Sequence, residues 1–153
     1  MGVRPTPEEQ WAVLEAAHTE IFTSLRRDGA PVALPVWFAA VERRIYLRTP
    51  AKTKKVARIR NDDRCSFLVE SGFVGKGLEA VHQSGRAALL GPGEESARAQ
   101  AAMDAKSRAF RSESEMLLAA TREHYSDFVW IRSDPEGEPI GWDNTKLQSK
   151  GNA

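Results

Sequence analysis

The chain has 153 residues, 41% of them hydrophobic and 28% charged, and a formal net charge of +1. That length suits one domain able to bury a core without metal or disulfide staples, and the composition is that of a globular protein, which excludes extended disorder. The near-neutral total argues for neither nucleic acid nor membrane, but its distribution is uneven. Residues 42–64 carry nine bases against three acids, a net +6, which leaves −5 for the rest of the chain. A local basic patch on an otherwise acidic protein points to a localised anionic ligand.

No apolar run approaches the roughly 20 residues of a membrane span. The start, Met1 to Pro7, lacks a hydrophobic signal core. The one cysteine, Cys65, lies in the apolar run Cys65-Ser66-Phe67-Leu68-Val69. It reads as a buried inert thiol in a reducing, cytoplasmic setting.

In chain order, Thr6-Pro7-Glu8-Glu9 predicts a helix start with Thr6 as N-cap and Glu9 as its capping-box partner. Trp11, Leu14 and His18 at helical spacing extend that helix over residues 7–18. Ile21 to Leu25 reads as a strand, and Arg27-Asp28-Gly29 as a hairpin turn. A strand follows over Pro31 to Val41, with Val32, Leu34, Val36 and Phe38 alternating on one face. Glu42-Arg43 turns the chain into a third strand, Ile45 to Thr49. Val56 and Ile59 mark a short helix that stops at Asn61-Asp62-Asp63, and Cys65 to Glu70 is a fourth strand. A glycine-rich loop spans residues 71–77. Glu79 to Leu90 is one long strand, in which Gly85 marks a bulge or a close backbone approach. Residues 94–108 are helical, and the capping box Ser112-Glu113-Ser114-Glu115 opens another helix that runs to His124. Asp127 to Arg132 and Pro139 to Leu147 complete the strands.

Strands mostly follow strands through short turns, with helices inserted between some of them. That order predicts a mainly-β or α+β fold, an antiparallel barrel or rolled sheet with peripheral helices. The N-terminal helix occupies residues 1–19, the main domain residues 20–147, and a frayed tail residues 148–153.

The chemistry concentrates in Thr49-Pro50-Ala51-Lys52-Thr53-Lys54-Lys55. Thr49 ends a strand and Thr53 is placed to cap the helix that Lys54 opens. The free amides and positive dipole end of a helix start attract anions, yet Lys52, Lys54 and Lys55 crowd this same end, where cations are mildly unfavourable. A bound phosphate resolves the conflict, with Thr49 and Thr53 supplying hydroxyl donors. A solvated lysine-rich turn is the plain alternative. Pro35, inside an otherwise good strand, marks an edge or bulge. Trp37 beside it is either a platform for a flat ring or ordinary core.

The run Gly29-Ala30-Pro31-Val32-Ala33-Leu34-Pro35-Val36-Trp37-Phe38, followed by Ile45 to Val56, resembles the pyridoxamine 5′-phosphate oxidase-like superfamily. So do Arg58 to Arg64, Val81 with Gly85-Arg86-Ala87, and Gly141 to Leu147. The resemblance spans residues 20–147 and implies a flavin-binding split β-barrel that works as a homodimer, with the cofactor in clefts at the interface. It implies FMN, or the deazaflavin coenzyme F-420. By position Thr49, Thr53, Lys54 and Lys55 match the phosphate-holding residues, with Arg48 and Lys52 beside them. Pro35, Val36 and Trp37 match the strand along the isoalloxazine ring. Trp142 and Lys146 match the C-terminal strand that approaches the cofactor from the partner subunit. Pyridoxamine phosphate oxidases also carry an Arg-x-His pair near the C-terminus to hold substrate. Trp142-Asp143-Asn144-Thr145-Lys146 stands there instead, which argues against the vitamin B6 reaction.

His18, His82 and His124 lack metal-ligand spacing, and neither a P-loop nor a Gly-x-Ser-x-Gly elbow is present. The leading expectation is an oxidoreductase that passes hydride between a flavin or deazaflavin and a small planar substrate. The alternative is a non-catalytic flavin or haem carrier of the same fold. A nucleic-acid patch over residues 42–64 is less in keeping with the sparse aromatic residues there.

Overall fold

Thr6 starts the first helix, α1 (Pro7–Ala16), and both hydrogen bonds of the predicted capping box are present. In the computed structural model, which describes residues 4–72, 77–108 and 127–150, β1 (Thr19–Leu25) follows α1. The hairpin turn after it needs a positive φ, supplied by Gly29 at 84°. The chain then returns as β2 (Pro31–Trp37).

The single strand expected over residues 31–41 is two. It breaks at fully buried Phe38 and resumes as β3 (Ala39–Val41). The face expected to carry Val32, Leu34, Val36 and Phe38 is only partly covered, since Leu34 is exposed. Glu42 and Arg43, both at positive φ, form the tight turn into β4 (Arg44–Pro50). Next come α2 (Lys54–Asn61), β5 (Arg64–Ser71), β6 (Glu79–Leu90), α3 (Glu94–Ser107), β7 (Phe128–Pro135) and β8 (Ile140–Asp143). The last strand is shorter than the expected 139–147, because the chain turns into a 3-10 segment at Asn144–Lys150. Likewise α1 ends at Ala16 and β7 runs on to Pro135. Most of the glycine-rich loop and the helix expected from Ser112 to His124 lie outside the described residues, as do residues 151–153 of the tail.

The strands form one antiparallel sheet in the order β2-β1-β5-β6-β7-β4-β3, with β8 added to β6. Its two ends, β2 and β3, are consecutive in the chain, so the sheet must curl back on itself. Long β6 makes this possible. One of its edges pairs with β5 from Glu79 to Arg86. The other pairs first with β8, at Glu79 to His82, and then with β7, from Gly85 to Leu90. Pro35 sits on terminal strand β2, which among the described residues pairs only with β1, so its missing N–H costs no ladder bond on the open side.

Inside the curl, Leu14 of α1 packs with Phe38, Ile45, Phe67, Val69 and Val81. A second interior cluster joins Ile59 of α2 to Phe22, Leu47 and Ile131. On the other face of β4 and β7, α3 lays Ala99 and Met103 over Tyr46 and Trp130. Among the described residues no helix is long and apolar enough to cross a membrane.

Gly85 marks a close approach of two chains. A Cβ there would lie 2.2 Å from the Asp134 carbonyl oxygen of β7. Gly85→Ala must push the strands apart, and it is expected to lower stability by about 1–3 kcal/mol. The measurement is urea denaturation, where the midpoint should fall at constant slope.

Candidate anion and cofactor site

Helix α2 is eight residues long and buries Val56 and Ile59. Thr53 caps it, its hydroxyl accepting from the Val56 amide at 3.4 Å. With that amide satisfied, those of Lys54 and Lys55 lead the helix with no intrahelical acceptor. The approach to the cap is held by Ala51 N–H donating to the Asp127 carbonyl at 3.0 Å and Thr53 N–H to the Pro50 carbonyl at 3.3 Å. The Thr49 and Thr53 hydroxyl oxygens are 3.5 Å apart. These two threonines and the α2 N-terminus therefore form one local donor set, as the spacing predicts.

The lysines divide. Lys52 and Lys54 are exposed, whereas Lys55 is half-buried and burial lowers its pKa. None of the three forms an ion pair with a described carboxylate. The rest of the basic run is mostly spent elsewhere. The Arg43 guanidinium lies over the Trp11 ring, Arg44 pairs with Asp134 at 3.1 Å and Arg64 with Asp62 at 2.7 Å. Arg58 Nε donates to Ser24 Oγ at 2.8 Å and so ties α2 to β1. The +6 segment is therefore not one contiguous patch: its three lysines cluster in sequence at the α2 start.

Arg48 is adjacent to Thr49 in sequence but not in space. Strand alternation puts Thr49 on the buried face and Arg48 on the α3 side, where its guanidinium stacks 3.9 Å over the Phe128 ring and reaches Gln100 at 3.3 Å. On β2 the same alternation turns Val36 toward the interior cluster and leaves Pro35 and Trp37 outward, with Trp37 51% exposed against His18. Trp142 and Lys146 are not near Thr49 within one chain. Trp142 pairs with Ala80, whereas Arg48 lies beside Trp130, the partner of Leu90. Ten residues of β6 separate the two ends, roughly 30 Å along the strand. Trp142 is exposed there, while Lys146 is paired with Glu9 of α1.

Sequence reasoning missed Glu20. It occupies the inward face of β1 with Phe22 and Ser24, in register with Val36, and is 1% exposed. Neither of its oxygens has a hydrogen-bond partner among the described residues. Burial pushes its pKa up from 4.5 to about 8, against the pull of Lys106 and Lys55. The signal was available: a Glu at an interior position of an alternating strand needs a cation or a proton. Cys65 is buried as expected and its thiol pKa is pushed up to about 11, chiefly by that burial, so it is unreactive.

A cavity of about 620 Å³ opens between α1 and β8, lined by Trp11, Leu14, Phe67, Val81 and Ile140 among others. It shares no residue with the Thr49–Lys55 segment. Among the described residues no cluster of His, Cys, Asp or Glu is arranged to hold a metal.

A curled antiparallel sheet of this strand order with helices packed against it is the split β-barrel fold. The family model described as pyridoxamine 5′-phosphate oxidase matches residues 6–138, and the chain belongs to that family. No curated protein sequence matches it. Among solved structures it is similar to a conserved hypothetical protein from Mycobacterium tuberculosis, with TM-score 0.79, 23% identity, and coverage of 95% of this chain and 89% of that one. It is similar to a FAD-binding protein from Mesorhizobium loti, with TM-score 0.66, 22% identity, and coverage of 92% and 97%. It is also similar to a haem storage protein from Vibrio cholerae, with TM-score 0.67, 11% identity, and coverage of 90% and 94%. At these identities the structural likeness speaks for the fold, which is the split barrel expected from sequence.

Glu20 makes stability depend on pH in a definite direction. Its folded pKa lies above the ordinary carboxyl value, so its contribution is whole below about pH 4.5 and is lost as pH rises to about 8. Glu20→Gln should therefore gain on the wild type by up to ~1.4 kcal/mol per pH unit across that interval. Urea denaturation of both proteins at several pH values reads the difference.

Proposed function

We propose that the protein is a flavin- or deazaflavin-dependent oxidoreductase that holds its cofactor by the phosphate at the N-terminus of α2. The observation that carries this reading is the conjunction of the Thr49–Thr53 hydroxyl pair, two leading helix amides and three lysines that form no ion pair with a described carboxylate. A phosphate monoester supplies the negative charge that this arrangement lacks. When bound, a flavin supplies hydride chemistry that side chains cannot perform. The chain's own residues grip and orient: Thr53, Lys54 and Lys55 hold the phosphate, and the outward edge of β2 around Pro35 and Trp37 offers a flat surface to the ring.

The reading includes a homodimer. Leu34 and Trp37 on β2, and Ile140, Trp142 and Leu147 at the C-terminal end, are large apolar side chains left exposed. A second copy would bring Trp142 toward the first copy's α2 start, from which it is separated within one chain by much of the length of β6. FMN is the first candidate cofactor and coenzyme F-420 the second.

A haem carrier of the same fold is the competing reading. It is disfavoured at the α1–β8 cavity, because no His, Cys, Met or Tyr is among the described residues that line it. A haem iron needs an axial ligand of that kind.

Absorbance-monitored titration of FMN, coenzyme F-420 and haem into the apo protein separates these readings. FMN or F-420 should bind tightly and support oxidation of a reduced nicotinamide or deazaflavin by an added acceptor, whereas binding without turnover favours the carrier. Replacing Lys54 and Lys55 together with Ala should weaken FMN binding by several kcal/mol, at about 1.5–3 per charge-assisted bond. Unchanged affinity in the double variant removes the anchoring claim.

A further inference from the structure

Phosphate anchoring as described gives no task to the buried carboxyl near the same helix. Glu20 is 1% exposed with both oxygens unpartnered among the described residues. An ionised carboxylate so placed is costly unless cations answer it. Two half-buried cations do so electrostatically, Lys55 of α2 and Lys106 of α3. Lys106 is already engaged, donating to the Leu14 carbonyl at 3.0 Å with its ammonium 3.9 Å from the Phe38 ring. Lys55 forms no such contact among the described residues, and it stands in the first turn of the helix whose amides face the proposed phosphate.

We propose that Glu20 is a positioning residue for Lys55: ionised, it draws the Lys55 ammonium toward the barrel interior and weakens the grip on a phosphate, and protonated, it releases that ammonium to the phosphate. The inference rests on the phosphate reading above and deepens it, since it makes affinity for phosphorylated ligands depend on one interior proton. Carboxylate and phosphate compete for one cation. Binding of the phosphate therefore raises the proton affinity of Glu20 by the same factor by which ionisation of Glu20 weakens binding.

Other charged groups face this cluster. Arg58 of α2 acts on Lys55, and Cys65 of β5 feels Glu20. His18 and Glu15 act around Lys106. The Cys65 thiol, pushed up to about 11, stays neutral through neutral and mildly alkaline pH. A phosphate monoester is already close to a dianion above about pH 7. Lys106, with a pKa lowered to about 8, can titrate beside Glu20 and must be removed as a cause.

The test titrates FMN and riboflavin, which lacks the phosphate, at about pH 7 and about pH 9 into wild type, Lys106→Met and Glu20→Gln. The FMN-to-riboflavin affinity ratio isolates the grip on the phosphate. It should fall roughly tenfold with rising pH, within the usual range for coupled sites, in wild type and Lys106→Met, and stay level in Glu20→Gln. A fall as steep in Glu20→Gln overturns the inference and assigns the pH dependence to the lysines. A ratio near one in wild type at the lower pH removes the phosphate reading itself, and the inference with it. Infrared difference spectra of the unaltered chain give a second readout that does not depend on the variant folding. Near pH 8, FMN should increase the carbonyl stretch of a protonated carboxylic acid and riboflavin should not. Equal spectra for the two ligands overturn the proposal.

Discussion

The site depends on the seating of one short helix. Eight residues with three lysines and two arginines among them or just before them would not hold a helix in water, because nucleation is costly and each cation near the N-terminus opposes the dipole. What holds α2 is tertiary. Val56 and Ile59 are buried, Ile59 against Phe22, Leu47 and Ile131, and the Arg58–Ser24 bond fixes the helix against β1. Because the helix is fixed from its apolar side, its basic start is offered as a rigid donor set and does not fold away.

The cost of that arrangement is electrostatic. Lys55 is half-buried, and the interior beside it contains Glu20 with no hydrogen-bond partner among the described residues. Such a group is neutral, or paired, or waiting for a change in its surroundings. On the reading proposed above, Glu20 of β1 and a phosphate at the α2 start would draw on the same cation, and burial strengthens both attractions because screening by solvent is reduced there.

Much of this was legible in the residues. Thr6 with Glu9, Thr53 before Lys54, the Glu42-Arg43 turn and Gly85 each report a local backbone requirement, and each stands where expected. Pro35 announced an edge strand because a missing N–H is tolerated only there. The break at Phe38 was not legible: local alternation continues through it, and only curvature of the whole sheet demands it. The end of β8 at Asp143 was hidden for a similar reason, since the residues after it lose their pairing partner when β6 begins. Arg48 shows the limit within the site. Sequence adjacency to Thr49 suggested a shared task, but the period of two in a strand sends it to α3 and Phe128.

By itself the amino-acid order determined which elements form, the family they belong to, and the local donor set of Thr49, Thr53 and the α2 start, because caps, turns and hydrophobic period act over a few residues. Only the tertiary structure decided which lysine is half-buried, that Glu20 lies within the electrostatic influence of Lys55 and Lys106, and that Trp142 lies most of a strand away from Arg48. Those outcomes are set by the curl of the sheet, which brings residues distant in sequence into one low-dielectric interior that no local spacing records.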